Sequence, residues 1–472
     1  MGPVIIEPVA TLDWQPWQTA AFLGAQRQQR PVLLLIEAAW APACALAHAE
    51  VFSRPDVCEA IRATCIAVRV DADRRPDIAD RYGLGHWPTL LFLTPDGSVL
   101  TGGTHLDATL ASRVRQVVEA FATPGARWPA RRQVRAPGGP RDDGAALAAV
   151  ADAVWATRDP HTGAFGRGDL PSMAAANFAL AHATATASDA WGQAAVDTVD
   201  AIARSSAWSA ARGLLGCDPQ DQGRPCRLDA QAEWVHLLTR VAPLEARPAW
   251  RDLLATAVAG LTAHFLRPDG HWRPWSDAPR LVLVDASARA ARALLAAADL
   301  LEDPALATRT IDTLDALAAA AYARAAGVAH LLDAEPRGPM LLTDAMLLAH
   351  ALLDADPWRG ESTVYRDLAE EILRTTVARL QDDSGAVRDR VAALAGAGQV
   401  GRLADPHFPL DGNAEAARVI RRLFPDDVEW LARARRMLVA ISGEAAEAGV
   451  YAAPVGLAWH ALGPSGEVMA VW

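Results

Sequence analysis

The sequence contains no lysine and little asparagine or cysteine. All 45 basic residues of the 472-residue chain are arginine, which excludes Schiff-base catalysis, a P-loop lysine and a lysine general base. Asn177 and Asn413 are the two asparagines. The five cysteines form no CxxC pair, and neither an HExxH motif nor an EF-hand loop is present. We therefore expect no metal site and no cofactor.

Long apolar runs and an excess of positive charge are also missing. No stretch of about eighteen apolar residues occurs, and the N-terminus has no basic flank before an apolar region, so we expect no membrane span and no signal peptide. The net charge of −11 argues against a nucleic-acid partner, because phosphate binding needs a basic surface. Sparse cysteines in odd number favour a reducing cytoplasm.

Helix and strand signals alternate from about residue 15 to residue 122. The apolar run PVLLLIEA predicts a buried strand, and two helices, the strand IAVRVDAD, a short helix, a hairpin turning at Pro95–Gly97 and a last helix follow it. This order is that of a thioredoxin fold. We predict a thioredoxin-like domain over residues 1–125 and an interdomain linker over residues 126–143, which are rich in Arg, Pro and Gly.

Residues 144–472 contain about twelve segments with the apolar periodicity of helices. A solenoid would show one consensus of fixed period, and we find none. Irregular helix pairs, joined alternately by short and long loops, favour an (α/α)6 toroid. The predicted fold class is therefore multidomain, with an N-terminal α/β thioredoxin-like domain and an all-α C-terminal (α/α)6 toroid.

A Trp, a Pro and a Cys follow the first strand in the spacing of a thioredoxin redox corner. Dithiol exchange needs a cysteine at the helix start, where the helix dipole stabilises the thiolate, and a second cysteine that resolves the mixed disulfide. Ala41 replaces that first cysteine, beside Trp40, and Cys44 lies about one turn inside the helix. Pro88 stands where thioredoxins carry a cis-proline. We predict a degenerate, redox-inactive corner.

The remaining cysteines have no predicted chemistry. Cys58 and Cys65 lie seven residues apart, across a helix end and a strand start, where apolar packing explains both. Cys217 and Cys226 bracket a Gly- and Pro-containing loop. They would pair in an oxidising compartment and stay free thiols in a cytoplasm.

The stretch VDADRRPDIADRYGLGHWPTLLFLTPDG resembles the thioredoxin-like domain of the spermatogenesis-associated protein 20 family, which has a VD…ERPD stretch followed by GWP and FLTPDG. Later landmarks follow in the family's order, among them HTGAFG, LLTDAMLLAHALLDA and PLDGNAEAARVIRRL. The resemblance implies a second part similar to six-hairpin glycosidases and N-acylglucosamine 2-epimerases. It also implies losses, because the family's C-H-W-C-H corner and V-P-H-F-E-K-M string have no full counterpart, and Asp285 replaces the family's Asn.

Two kinds of chemistry are open for the toroid. Glycoside hydrolysis needs two carboxylates about 5 to 10 Å apart, and an epimerase of this fold would use paired histidines. The aspartates of the loop face are Asp169, Asp218, Asp221, Asp333, Asp344, Asp389 and Asp411. The loop histidines are His161, His271, His330 and His407, whereas His182, His236, His264, His350 and His460 lie within or at the ends of helical patterns. The sequence selects no pair, because caps and turns account for most of these residues individually.

We assign a candidate pocket to the polar and aromatic loops on one face of the toroid, where such folds place ligands. Its residues are His161, Trp272, Arg337, Asp344, Asp411 and Asn413. The joint loss of reactive groups favours a non-catalytic binding or scaffold protein; the alternative is a carbohydrate-active enzyme of the epimerase or hydrolase type. The expected partner is a sugar-like small molecule or another protein, and the sequence does not determine the oligomeric state.

Overall fold

The structure is a computed structural model in which the described residues are 12–123, 143–166, 170–216, 226–243, 248–276, 278, 280–332, 340–391 and 399–463. The chain forms two compact units. Unit 1 comprises residues 1–134 and 392–406, and unit 2 comprises residues 135–391 and 407–472. No helix in the described ranges is long and apolar enough to cross a membrane. The predicted boundaries placed residues 392–406 in a toroid loop, whereas they group with unit 1.

Unit 1 is a four-stranded mixed sheet with helices on both faces. The strands are β1 (Val32–Glu37), β2 (Ile66–Asp71), β3 (Thr89–Leu93) and β4 (Val99–Gly103). Their order in the sheet is β2-β1-β3-β4, with β1 and β2 parallel and the other pairs antiparallel. The helices are α1 (Thr19–Gln28), α2 (Pro42–Glu50), α3 (Pro55–Thr64), α4 (Pro76–Tyr82) and α5 (Leu110–Ala122). The predicted thioredoxin-like order is therefore confirmed.

The central strand β1 is buried along its whole length, because each of its faces belongs to a separate core. Alternate side chains of a strand point to opposite faces, so Leu34 and Ile36 pack in one apolar cluster and Leu33 and Leu35 in the other. This packing explains why the strand is a continuous apolar run rather than an alternating one.

Residues 399–406 complete unit 1 through hydrogen bonds to the end of α4. The buried Tyr82 hydroxyl donates to the Gly97 carbonyl at 2.9 Å and accepts from the Arg402 backbone amide at 2.8 Å. The Arg81 guanidinium donates to the Arg402 and Asp405 carbonyls at 3.0 and 3.1 Å. A segment distant in sequence is thus fixed by the buried Tyr82 hydroxyl and the partly buried Arg81 guanidinium.

Replacing Tyr82 with Phe should destabilise unit 1 by about 1–3 kcal/mol, because a buried carbonyl and a buried amide lose their partner. Chemical denaturation would measure the loss, and limited proteolysis should cut more readily within residues 399–406. The matched control is Tyr451→Phe, since Tyr451 is 78% exposed and should tolerate the change. Equal stability of the Tyr82 variant and the wild type would contradict this account.

Unit 2 is a double ring of helices. The inner helices are α7 (Met173–Thr186), α9 (Leu228–Val241), α11 (Val284–Leu301), α13 (Leu342–Ala355), α15 (Leu410–Leu423) and α17 (Ala453–Leu462). Each packs against the next in that order, and α17 returns to α7. The outer helices are α6 (Asp143–Trp155), α8 (Asp189–Arg204), α10 (Pro248–Phe265), α12 (Pro304–Ala321), α14 (Val364–Leu380) and α16 (Val428–Ala445). The closed ring confirms the predicted toroid and excludes an open superhelix.

Short hairpins follow five of the outer helices and lead to the N-terminal ends of the inner helices. Their paired segments include β5 (Trp208–Ser209) with β6 (Leu214–Leu215) and β8 (Tyr322–Ala323) with β9 (Gly327–Val328). The corresponding turn glycines have positive φ and are Gly163, Gly213, Gly270, Gly327 and Gly385. At Gly213 a side chain would also collide with the Thr256 carbonyl of the neighbouring helix. This glycine pattern is an internal repeat that the sequence analysis missed.

Side-chain amides in the first turn of two inner helices hold these hairpins. The Gln231 amide binds both the N–H and the carbonyl of Leu215, at 3.0 and 2.7 Å. The Asn413 amide binds both backbone groups of Val387, each at 2.8 Å. Each amide side chain stands at the fourth position of its helix. It satisfies both the backbone N–H and the backbone carbonyl of one buried hairpin residue.

Candidate functional site

The corner after β1 has the predicted thioredoxin geometry without its reactive group. Ala41 is the N-cap residue of α2, and Cys44 lies in the first turn. The Trp87–Pro88 peptide bond faces this region and is cis, as predicted. The position at which a thiolate would gain from the helix dipole therefore holds a methyl group.

Cys44 is enclosed by apolar side chains. Its thiol is 5% exposed and packs with Ala38, Ala41 and the partly buried Trp40 and Trp87. Burial raises the pKa of Cys44 to about 11, and the nearby Glu37 carboxylate acts in the same direction. A thiol with a raised pKa supplies almost no thiolate at neutral pH.

A buried carboxylate lies beneath this corner and was not predicted. Glu37, at the end of β1, is largely buried. Its carboxylate lies 2.7 Å from His48 Nε2 and pairs with the Arg69 guanidinium. Because His48 and Arg69 both bind it, the Glu37 carboxylate can be buried beside Cys44 without remaining unpaired.

Wild-type protein and Cys44→Ser should show equally little activity in an insulin-reduction assay, because neither has a low-pKa attacking thiol. Iodoacetamide should leave Cys44 unmodified at pH 7 in the folded protein and modify it after unfolding. The variant Ala41→Cys is the informative partner, since it restores a thiol at the helix start. Trapping of a mixed disulfide on wild-type Cys44 would overturn the assignment.

In unit 2, four inner helices begin with an aspartate that faces the space enclosed by the inner ring, which we call the lumen. Asp229, Asp285, Asp344 and Asp411 lie in the first turns of α9, α11, α13 and α15. Carboxylates are favoured at these positions by the helix dipole. None of the four helices has a hydrogen bond from the side chain of its N-cap residue. Two of the aspartates bind first-turn backbone amides instead, since Asp229 accepts from Ala230 at 2.9 Å and Asp411 accepts from Gly412 at 2.8 Å.

One guanidinium joins two carboxylates across the lumen. Arg289 on α11 lies 3.9 Å from Glu233 on α9 and 3.6 Å from Asp411 on α15. The two carboxylates remain 39% and 44% exposed. The surrounding protein nevertheless raises the pKa of Glu233 by desolvation. A group that is both reached by solvent and densely surrounded by protein lies on the wall of a concave opening. Glu233, Arg289 and Asp411 are called the wall triad below.

A second group is sealed from solvent. Asp344 is 0% exposed; its Oδ2 lies 2.9 Å from His330 Nδ1, and its Oδ1 accepts from the Asp285 amide at 3.1 Å. His330 is positioned by the pairing of β10 (Leu331–Leu332) with β7 (Val282–Leu283). Desolvation raises the pKa of Asp344 to about 6.

These three residues place possible metal ligands together. One ligand atom each from Asp285, His330 and Asp344 lies within 4.8 Å of the others, although the sequence analysis expected no metal site. The Asp344–His330 distance is also that of an ordinary hydrogen-bonded pair. The arrangement can therefore hold either a proton or a divalent cation between buried groups.

Farther into the lumen, charged side chains form a network between three neighbouring helices. Arg292 on α11 donates to Asp354 on α13 at 2.7 Å and to Glu415 on α15 at 2.6 Å. His350 contacts the same Glu415 carboxylate, and Arg422 pairs with Asp354. Ionic groups therefore join the inner-ring faces of α11, α13 and α15.

The structure brings only part of the predicted pocket together. Asp344 and Asp411 lie at the N-terminal ends of adjacent inner helices, whereas Asn413 is 0% exposed and its amide is committed to Val387. Trp272 is buried in a hairpin, and His161 is exposed in a turn. Arg337 lies outside the described residues, as do Cys217, Asp169, Asp218, Asp221 and Asp333.

Asp411 of the wall triad belongs to the predicted pocket, whereas Glu233, Arg289 and the network beneath them were not predicted. Their signal is the spacing of charges inside apolar helices. Charges four and three residues apart face the same side of a helix. The spacing appears in DAQAEWVHLLTR, DASARAAR and DGNAEAARVIRR.

Comparisons in sequence identify the first part of the chain. Residues 6–135 match the family model described as "Thioredox_DsbH: Protein of unknown function, DUF255". The "Uncharacterized protein B0495.5" of Caenorhabditis elegans is 31% identical over 102 residues, and human spermatogenesis-associated protein 20 is 28% identical over 102 residues. The chain resembles the spermatogenesis-associated protein 20 family. The predicted resemblance is confirmed, but each match spans 20% of this chain and 14% or 13% of the relative.

Comparisons in structure identify the fold of the second part. A D-mannose isomerase matches with a TM-score of 0.51 at 14% identity, covering 63% of this chain and 83% of its own. A sugar epimerase from a ruminal bacterium matches at 0.52 with 12% identity, covering 62% and 86%. The GH76A alpha-1,6-mannanase from Salegentibacter sp. HEL1_6 matches at 0.51 with 10% identity, covering 68% and 98%. At these identities the likeness shows the toroid fold alone.

Unit 2 should lose stability as the pH falls from 7 to 5. Desolvation lowers the pKa of His236 to about 3 and the pKa values of His350 and His460 to about 4. A histidine with a pKa lower than its unfolded value contributes stability above about pH 6.5 that is lost as the pH falls toward the folded value. Asp344 and Glu233, whose pKa values are raised by desolvation, act in the opposite direction, because their folded forms take up a proton first. We expect the three histidines to outweigh these two carboxyls.

Thermal unfolding between pH 5 and 7 measures this dependence. His460→Gln should reduce the slope, because it removes one of the three histidines. His105→Gln should not change it, since the His105 side chain is 86% exposed. A midpoint that is constant or rises on acidification would contradict the prediction.

Proposed function

We propose that the protein binds a sugar-like, polyhydroxylated small molecule in the lumen of unit 2, at the N-terminal ends of the inner helices, and that unit 1 is a redox-inactive binding or scaffold domain. The observation that carries the proposal is the wall triad. Sugars present closely spaced hydroxyls that both donate and accept, and a guanidinium flanked by two carboxylates offers donors and acceptors side by side. The triad is reached by solvent and stands on three rigid helices.

Toroids of similar fold support the choice of ligand, since three of them are described as a mannose isomerase, a sugar epimerase and a mannanase. For unit 1, the supporting observations are the Ala41 methyl group at the helix start and the apolar enclosure of Cys44.

A thermal-shift screen of mono- and disaccharides tests binding. A ligand at about 100 times its dissociation constant should stabilise by about 2.7 kcal/mol. For a sugar that binds, Glu233→Gln and Arg289→Gln should weaken affinity about tenfold or more, because a hydrogen bond to a charged group contributes about 1.5–3 kcal/mol. Glu370→Gln is the control, as Glu370 forms an exposed pair with Arg374 on the outer helix α14. The proposal would be refuted by a screen in which no sugar binds, or by an equal loss of sugar affinity in Glu370→Gln.

The wall triad also favours one specific alternative, a carbohydrate-active enzyme. Glu233 and Asp411 both pair with the Arg289 guanidinium, at 3.9 and 3.6 Å, and glycoside hydrolysis uses two carboxylates about 5 to 10 Å apart. The raised pKa of Glu233 is appropriate for a general acid. Turnover of a bound sugar, followed by proton NMR, would support the enzyme if Glu233→Gln lost turnover even at sugar concentrations that saturate its weakened binding. Binding of a sugar without turnover would instead support the proposed binding protein.

A further inference from the structure

The helices α9 and α15 carry the same series of charges on one face. They stand on opposite sides of the six-helix ring, with α11 and α13 between them on one side and α17 and α7 on the other. The series have identical spacing and are Asp229, Glu233, His236 and Arg240 on α9, and Asp411, Glu415, Arg418 and Arg422 on α15. Acidic groups lie toward the N-terminal ends and cationic groups toward the C-terminal ends, as the helix dipoles favour. The lower half of the lumen is therefore cationic.

The carboxylates in this lower half are fully engaged. Glu415 accepts from Arg292 at 2.6 Å through one oxygen and from Arg418 at 3.0 Å through the other. Asp354 accepts from Arg292 at 2.7 Å and pairs through its second oxygen with Arg422. Two carboxylates thus pair with three guanidiniums, and one positive charge remains in excess. Neither carboxylate forms an ion pair with a fourth guanidinium in the described part of the chain.

Arg240 is that fourth guanidinium. Within the described ranges it has neither an ion pair nor a hydrogen bond, and the charged group that acts on it is Arg418, across the ring. Desolvation, and then the repulsion from Arg418, lowers the pKa of Arg240 to about 10. One helical turn away, Nδ1 of His236 is a buried polar atom without a partner. A desolvated cation and an unsatisfied ring nitrogen are both costly unless something pairs with them.

We propose that the lower lumen binds an oxyanion, a phosphate or carboxylate group, between Arg240 on α9 and Arg418 on α15, with His236 as a further hydrogen-bonding group. Guanidinium groups suit such anions because they form paired, charge-assisted hydrogen bonds. Arg240 lies seven residues beyond Glu233, which corresponds to about 10 Å along α9. The anion is therefore either free in solution or the acidic group of a sugar that also reaches the wall triad; this second source rests on the function proposed above.

Phosphorus NMR and calorimetry with inorganic phosphate test the site on the full-length protein. We expect saturable binding that Arg240→Gln weakens at least about tenfold and that Arg374→Gln, on an outer helix, leaves intact. Sodium chloride at equal ionic strength controls for general salt effects, because chloride cannot form the paired hydrogen bonds of an oxyanion. Without phosphate, Arg240→Gln should raise the unfolding midpoint, because it removes an unpaired cation facing Arg418. A lower midpoint would mean that Arg240 already has a partner, and would overturn the proposal.

Two further arms separate this site from the wall triad. Glucuronate binding that Arg240→Gln weakens, while glucose binding stays unchanged, would assign the anion to an acidic sugar. Phosphate binding that survives Glu233→Gln would establish the anion site independently of any sugar. If neither phosphate nor glucuronate binding depends on Arg240, the anion site is refuted, even if neutral sugars bind and the proposed function stands.

Discussion

Charge balance inside the ring of inner helices is the constraint on which unit 2 depends. Arg292 binds carboxylates on both α13 and α15, so one side chain joins three consecutive members of the ring. A buried cation stabilises a fold only when it has both an opposite charge nearby and acceptors for its hydrogen bonds. Removing Glu415 would leave Arg418 without a carboxylate and Arg292 with one, and removing Asp354 would do the same to Arg422 and Arg292. The contacts between three neighbouring inner helices therefore depend on both carboxylates.

The two units carry different groups at their candidate sites. Unit 1 has the cis peptide at Pro88 and a methyl group where the attacking sulfur of a thioredoxin would stand. Unit 2 has ionisable groups at the N-terminal ends of its inner helices. Their roles therefore have to be judged separately, because the groups of one unit do not determine the function of the other.

Local signals in the sequence predicted most of the fold. The apolar run of β1, the turn at Pro95–Gly97 and the helical periodicity each arise from neighbours in the chain. The site could not be predicted in this way, because Arg292 is 62 residues from Asp354 and 123 from Glu415. Asn413 shows the same difficulty, because a polar residue near a loop can bind either a ligand or a buried segment of the backbone. Only the packing of α15 on its hairpin shows that Asn413 binds the backbone of Val387.

The hydrogen bonds of Tyr82 have a consequence for biosynthesis. The Tyr82 hydroxyl gains its second hydrogen bond only when the backbone amide of Arg402 reaches it. Arg402 is translated long after the N-terminal part of unit 1. At about 5–20 residues per second, the interval is on the order of tens of seconds. During it, the nascent N-terminal unit exposes a tyrosine hydroxyl, a carbonyl and an apolar surface that Leu403 later covers. The last step in maturing the first unit therefore waits for translation of most of the second, and a ribosome that stalls in between leaves a particle that a chaperone can recognise.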